Sequence, residues 1–382
     1  MTENIKKKLF LFLRLVISFS LIGYIFYTIN TEGKLSKLPD YFAEANYWWL
    51  ALASLFVLSL LWTGSIRWGL LLRAQGVRLS RISVFMYYMI GMFFNNFLPS
   101  TVGGDFVKAY YLSKTTGKTA GSFISVLMDR LMGMGGLCVV AVSACLFGGR
   151  SLWLNPHTHT YALPIFFIVG GVSLGLVLFF LVVFNDRVLN LFLKLSGADT
   201  DGETPAEATE PSIMKERNFS LSRKTRAWLR KIGEKIQEFH QAMYIYKGHG
   251  KILGETLLIS TGIWVMIVFV AWMVYMAFHG VPVSAVAGKI STIPLRYFFL
   301  FVPPIAVIMS IPISFAGLGT REAAFIIFFG TLPGIKELDA LIISLTFYFV
   351  YLAISMIGGA IYIFKDKLRL HREGGLPVFK GE

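Results

Sequence analysis

Two short stretches carry the residue types best suited to chemistry. The first, NNFLPSTVGGDFVK, gathers Asn95, Asn96, Ser100, Asp105 and Lys108 within fourteen positions. Pro99 removes a backbone donor there, and Gly103-Gly104 admits conformations that other residues avoid. The second, IPISFAGLGTREAAF, repeats the order: Pro312, Ser314, then Gly317 and Gly319, then Arg321 and Glu322. In apolar surroundings each reads as a helix broken inside a membrane. The amides and carbonyls freed by such a break are tolerated only against protein or a water-filled cavity. Asp105 is expected to cap a short helix that starts after the glycines, and Thr320 to cap one carrying Arg321 and Glu322. Helix starts of this kind attract anions, so the chemistry indicated is the holding of an anion. A kinked helix with its polar groups satisfied by neighbours is the plainer reading. The density of polar residues in the first stretch argues against it.

Charge inside an apolar run is the second signal. Asp129 and Arg130 lie about ten residues into the run 119–147, near the middle of a bilayer. Facing lipid, each would cost roughly 2.5–3.5 kcal/mol, so both are expected to face protein. Adjacent helical positions point about 100° apart, which sends the two to separate partners. Arg67 lies near a helix end, where a long side chain can snorkel, and carries less weight. Other chemistries lack their signatures. There is no G-x-x-x-x-G-K-[ST] loop, no H-E-x-x-H and no nucleophile elbow. His157 and His159 make a weak metal site on their own. No catalytic residue, metal or cofactor is expected. Cys138 and Cys145 read as small core residues. Gly171 and Gly175 read as a helix-packing pair, and Gly133, Gly135 and Gly136 as a close helix contact.

The elements that must position these residues follow from composition. Of 382 residues 55% are hydrophobic and only 15% charged, with a mean hydropathy of +0.64. Soluble domains carry about 25% charge, so the chain is an integral membrane protein and no conventional soluble enzyme. The net charge of +14 then marks cytoplasmic flanks and anionic lipid rather than nucleic acid. Apolar runs at 9–29, 48–72, 119–147, 163–184, 251–278 and 338–364 each reach the roughly 20 residues of a crossing. Two more stretches, 82–113 and 294–335, hold the proline and glycine breaks. Lysine and arginine at 6–8, 73–81, 108–118 and 365–372 place those segments in the cytoplasm, both termini included.

The fold expected is an all-α polytopic membrane protein of six to eight transmembrane helices with two broken, re-entrant hairpins in an inverted repeat. An N-terminal helix (1–30) precedes a first repeat (48–147, hairpin 82–113) and a connecting helix (163–184). A cytoplasmic connection (185–250) leads to a second repeat (251–364, hairpin 294–335) and a tail (365–382). Within the connection, 197–213 reads as an acidic linker. Residues 224–246 read as a basic amphipathic helix, lying either on an anionic membrane surface or against the spans.

With these residues in hand the chain resembles the flippase-like transmembrane region of the lysylphosphatidylglycerol synthases, or multiple peptide resistance factors. The resemblance runs from the second span to the last. It rests on NNFLPSTVGGDFVK, Asp129-Arg130, PISFAGLGTRE and Arg67-Trp68. Lys108 stands where the family often has arginine, Asp129 where glutamate is common, and Ala316 where glycine is frequent. The resemblance implies movement of lipids or lipid-linked headgroups between leaflets. About eighteen residues follow the last span, so the family's aminoacyl-transferase domain, and with it lysyl transfer, is not expected.

The leading expectation is a lipid translocase of the cell membrane. Asn95, Asn96, Ser100, Gly103, Gly104, Asp105, Lys108, Asp129, Arg130, Ser314, Gly317, Gly319, Arg321 and Glu322 would line a path for an anionic headgroup. Two alternatives stay open: a membrane enzyme on lipid-linked phosphate or sugar, and a scaffold for a lipid-modifying partner.

Overall fold

The computed structural model describes scattered positions between 16 and 30 and residues 38–98, 103–154, 159–183, 243–279, 293–310, 314, 317–330, 332 and 337–364. Pro99, Ser100, His157, Pro312 and Ala316 lie outside the described residues. So do most of the span expected at 9–29, the linker, nearly all of the expected amphipathic helix and the tail.

Among the described residues the elements are helical: α1 (Leu38–Ala43), α2 (Tyr47–Ala74), α3 (Arg81–Phe97), α4 (Gly103–Thr116), α5 (Thr119–Leu154), α6 (His159–Val183), α7 (Gly250–His279), α8 (Leu295–Ser310), α9 (Thr320–Phe329) and α10 (Glu337–Phe364). Polar residues outside the apolar runs set the starts. Asn46 caps α2, its Oδ1 accepting from the Trp48 amide at 3.1 Å. Ser80 caps α3, its Oγ accepting from the Ser83 amide at 3.1 Å. Among the described residues five helices are long and apolar enough to cross a membrane: α2, α7, α10 and the segments Gly121–Gly148 of α5 and Leu163–Leu181 of α6. They match five of the six apolar runs. The helices of the two interrupted stretches are shorter. α3 and α4 have 17 and 14 residues, α8 and α9 have 16 and 10, each short of the roughly 20 that span a bilayer. α8 also carries Pro303 and Pro304 in its interior, a break signal that the sequence reading assigned to Pro312 alone.

The chain divides into two compact units, residues 1–174 with 251–382, and residues 175–250. The first contains both hairpins. Within it a packing rule appears twice. The second helix of each hairpin lies on the last helix of its own repeat, α4 on α5 and α9 on α10. The first helix lies on the last helix of the other repeat, α3 on α10 and α8 on α5. Two apolar clusters fill the contacts. The larger holds Met89, Leu137, Val270, Phe298, Phe329 and Ile343. The smaller holds Trp68, Leu72, Tyr87, Ile90 and Leu112, from α2, α3 and α4. Ile25 is buried against Leu338, Leu341 and Ile342 of α10. Cys138 and Cys145 are buried free thiols, as expected.

Glycines fix the closest approaches. A Cβ at Gly104 would fall on the Gly91 carbonyl oxygen across the first hairpin, and one at Gly358 on the Met89 carbonyl oxygen between α10 and α3. Gly136 meets the Ser260 backbone of α7, where a Cβ would lie 2.5 Å away. The contact expected of the Gly133–Gly136 cluster is therefore present. At Gly171 and Gly175 nothing among the described residues lies within 4 Å of a Cβ, so the expected helix packing is not seen there.

Candidate functional site

The first hairpin closes on a chain of alternating charges. α2 and α5 pack side by side, which brings Arg67 against Asp129: Nε donates to Oδ1 at 2.8 Å. Nη1 of the same guanidinium donates to Ser260 Oγ of α7 at 3.0 Å. The second Asp129 oxygen accepts from Lys108 Nζ at 3.1 Å, and that ammonium lies 3.7 Å from Asp105 Oδ1. Asp105 Oδ2 in turn accepts from Arg130 Nε. Arg67, Asp129, Lys108, Asp105 and Arg130 thus alternate in sign through three helices, α2, α4 and α5. The first four are buried, whereas the Arg130 side chain is 38% exposed. Three cations and two carboxylates leave these five groups with one positive charge in excess.

Aromatic rings hold the centre of the chain. Lys108 Nζ lies 4.8 Å from the Trp68 ring and 4.7 Å from the Tyr88 ring, within cation–π range. Trp68 Nε1 donates to Ser125 Oγ at 3.3 Å, which fixes the indole. Adjacent on α5, Asp129 and Arg130 do turn to separate partners.

Two details of the hairpin starts correct the sequence reading. α4 begins at Gly103, so Asp105 lies inside its first turn and does not cap it. The cap comes from the other arm: Asn95 Oδ1 of α3 accepts from the Gly104 amide at 2.8 Å. Asp105 is instead taken by Arg130 and Lys108, a stronger charge-assisted pairing. At the second hairpin, Thr320 is the first helical residue and Gly319, at φ +83°, precedes it. Glu322 reaches back, its Oε2 accepting from the Gly319 amide at 2.7 Å. The Thr320 hydroxyl is engaged with Gly317 O at 3.1 Å and Ser314 Oγ at 2.8 Å.

Arg321 and Glu322 form a second, buried and balanced pair. Arg321 Nε donates to Glu322 Oε1 at 3.0 Å and to Ser344 Oγ of α10 at 3.3 Å. The guanidinium stacks 4.3 Å from the Tyr348 ring. Asn96 is drawn to the same helix, its Nδ2 donating to Ser355 Oγ at 2.9 Å. Of the fourteen residues singled out, Asn95, Gly103, Gly104, Asp105, Lys108, Asp129 and Arg130 therefore meet at the first hairpin. Ser314, Gly317, Gly319, Arg321 and Glu322 meet at the second. Asn96 faces α10, and Ser100 lies outside the described residues. Among the described residues no group of three or more His, Cys, Asp or Glu is placed to hold a metal.

Over residues 11–359 the sequence matches the family model described as the lysylphosphatidylglycerol synthase TM region. The chain belongs to this family. Like the lysylphosphatidylglycerol synthase TM region it matches, it is a multi-pass, all-helical membrane protein. No protein with a curated description matches it. The match starts ahead of the second span, further toward the N-terminus than the quoted motifs reach.

The sequence reading underrated Arg67 and missed its partners. Arg67 does not snorkel: it is buried on Asp129 and Ser260. The signal lay in α7, where Thr256 and Ser260 interrupt an apolar run four residues apart, one face of a helix. Tyr88, Ser344 and Tyr348 carried no comparable mark.

Proposed function

We propose that this protein is a lipid translocase, moving an anionic, phosphate-bearing headgroup between leaflets. The observation that carries the reading is the first charge chain, buried at four members and reaching a partly exposed arginine, in which three cations meet two carboxylates. A buried network made only for stability gains little from net charge. One that must receive an anion needs the excess, and needs it where the anion arrives. Arg130 is the receiving group; Lys108 and Arg67 hold Asp129 and supply the field behind it. The two hairpins re-enter the membrane from opposite faces, and their helices are short enough to end inside it. The reaction is transport without covalent chemistry, in a cell membrane with both termini cytoplasmic. Membrane lipids are the partners, and a lipid-modifying enzyme is a further candidate.

The test is leaflet exchange in liposomes holding only this protein, with fluorescent phosphatidylglycerol and phosphatidylcholine. Arg130→Gln is expected to lower phosphatidylglycerol exchange at least tenfold while the protein stays folded. Exchange unchanged by that substitution would overturn the assignment. Cysteines placed at either terminus, labelled from one side of intact cells, check the orientation.

A further inference from the structure

α10 carries a polar line that the charge clusters do not exhaust. Ser344, Tyr348, Tyr351 and Ser355 are spaced by four, three and four residues, which places them on one face over about 16 Å. Both ends of the line are occupied. Ser344 and Tyr348 hold Arg321, by a 3.3 Å hydrogen bond and a ring contact at 4.3 Å. Ser355 Oγ accepts from Asn96 of α3 at 2.9 Å. Between them the Tyr351 hydroxyl is buried without a hydrogen-bond partner among the described residues. α3 packs on α10, and Tyr88 of α3 acts on the Tyr351 hydroxyl electrostatically. The Tyr88 ring lies 4.7 Å from the Lys108 ammonium. Ring contacts therefore reach from Lys108 to Tyr88 of α3 and from Arg321 to Tyr348 of α10, with Tyr351 one turn from Tyr348 on the helix that packs on α3.

A buried hydroxyl left unpaired is destabilising, and such groups in folded proteins call for a reason. Packing supplies none here. The Tyr351 ring lies 5.0 Å from the Phe347 ring in an apolar cluster that would hold phenylalanine equally well. We infer that Tyr351 donates a hydrogen bond to the phosphate of the headgroup in transit, midway between the two charge clusters. The inference rests on the translocase reading and extends it to a residue outside the clusters. A phenol suits a midpoint because it is uncharged: it engages a phosphate oxygen yet holds it weakly enough to release. That is the balance any conducting site must strike. Arg130 and Arg321 anchor the two ends.

The test separates binding from transport. Short-chain phosphatidylglycerol and, in a parallel arm, inorganic phosphate are titrated by calorimetry into detergent-purified protein. Three forms are compared: unsubstituted, Tyr351→Phe and Tyr110→Phe. Tyr351→Phe removes one oxygen and keeps the ring, so the fold is retained. It is expected to weaken phosphatidylglycerol binding about tenfold, the loss of one hydrogen bond to a charged group. Tyr110→Phe, an exposed tyrosine of α4, leaves it unchanged. Weakening in the lipid arm alone assigns a lipid headgroup, and equal weakening in both arms assigns a free phosphate to the same donor. Unchanged affinity in Tyr351→Phe with a higher melting temperature overturns the inference, because the hydroxyl is then only a packing defect. No lipid or phosphate bound by the unsubstituted protein overturns it as well. Binding that depends on Tyr351, in a protein with no leaflet exchange, keeps the site and removes the translocase.

Discussion

At the scale of single residues, Asp129 sets the order of the first cluster. Its two oxygens divide between Arg67 and Lys108, and neither cation has another carboxylate as near. Removing one member of a buried pair leaves an uncompensated charge and costs about 3–5 kcal/mol. Arg67→Met is accordingly expected to lower stability by about 3 kcal/mol, because Lys108 still engages Asp129. The double variant Arg67→Met/Asp129→Leu is expected to be no more stable than the single, because it strips buried Lys108 of its nearer carboxylate; thermal melting in detergent reads both. Asp129 was legible in the sequence because a carboxylate deep in an apolar run has no innocent exposed position. Arg67 was not. Seven residues from the end of α2, a side chain of that length can reach the headgroups or turn inward, and the helical pattern is the same either way. Which occurs is decided by Ser260, on a helix nearly two hundred residues later in the chain.

At the scale of elements, the first hairpin is held by contacts that only glycine allows. Gly104→Ala would drive a methyl into the Gly91 carbonyl and break the Asn95 cap, so it is expected to abolish folded expression. Gly171→Ala is the contrast. It meets open space in a helix interior and is expected to leave melting unchanged or raise stability by about 0.5–1 kcal/mol. α1 offers a pH test. The Tyr41 hydroxyl donates to Asp339 Oδ1 at 2.8 Å, and burial, then Asp339, raises its pKa from 10.0 to about 12. A raised folded-state value means the contribution is complete below pH 10 and fades as pH climbs toward 12. Over that window the melting temperature of the wild type should fall more than that of Tyr41→Phe. The breaks were readable from proline and glycine; their caps were not. Composition shows that a helix must start, but the Gly104 partner comes from the opposite arm, and Asp105, the obvious candidate by position, is claimed by Arg130.

At the scale of the whole molecule, the lengths of the apolar runs matched five of the six long helices expected, the sixth lying mostly outside the described residues. They could not show that each hairpin leans on the far repeat. Periodicity says which face of a helix is apolar and nothing about whose face it meets, so the contacts of α3 with α10 and of α8 with α5 were invisible beforehand. If transport requires the hairpins to shift against these helices, locking one contact should stop it. With Cys138 and Cys145 replaced by alanine, Asn96→Cys/Ser355→Cys is expected to cross-link on oxidation. Lipid exchange should fall when the link is oxidised and return on reduction.

The same cross-packing has a consequence during synthesis. α3 ends at Phe97, while the helix that covers it ends at Phe364. At about 5–20 residues per second, a ribosome takes roughly 15–50 s to make the intervening chain. Throughout that interval Asn96 and the Met89 carbonyl face have no α10 to meet. The nascent first repeat must therefore be sheltered, by an insertase or by the translocon itself, until its partner is threaded into the membrane.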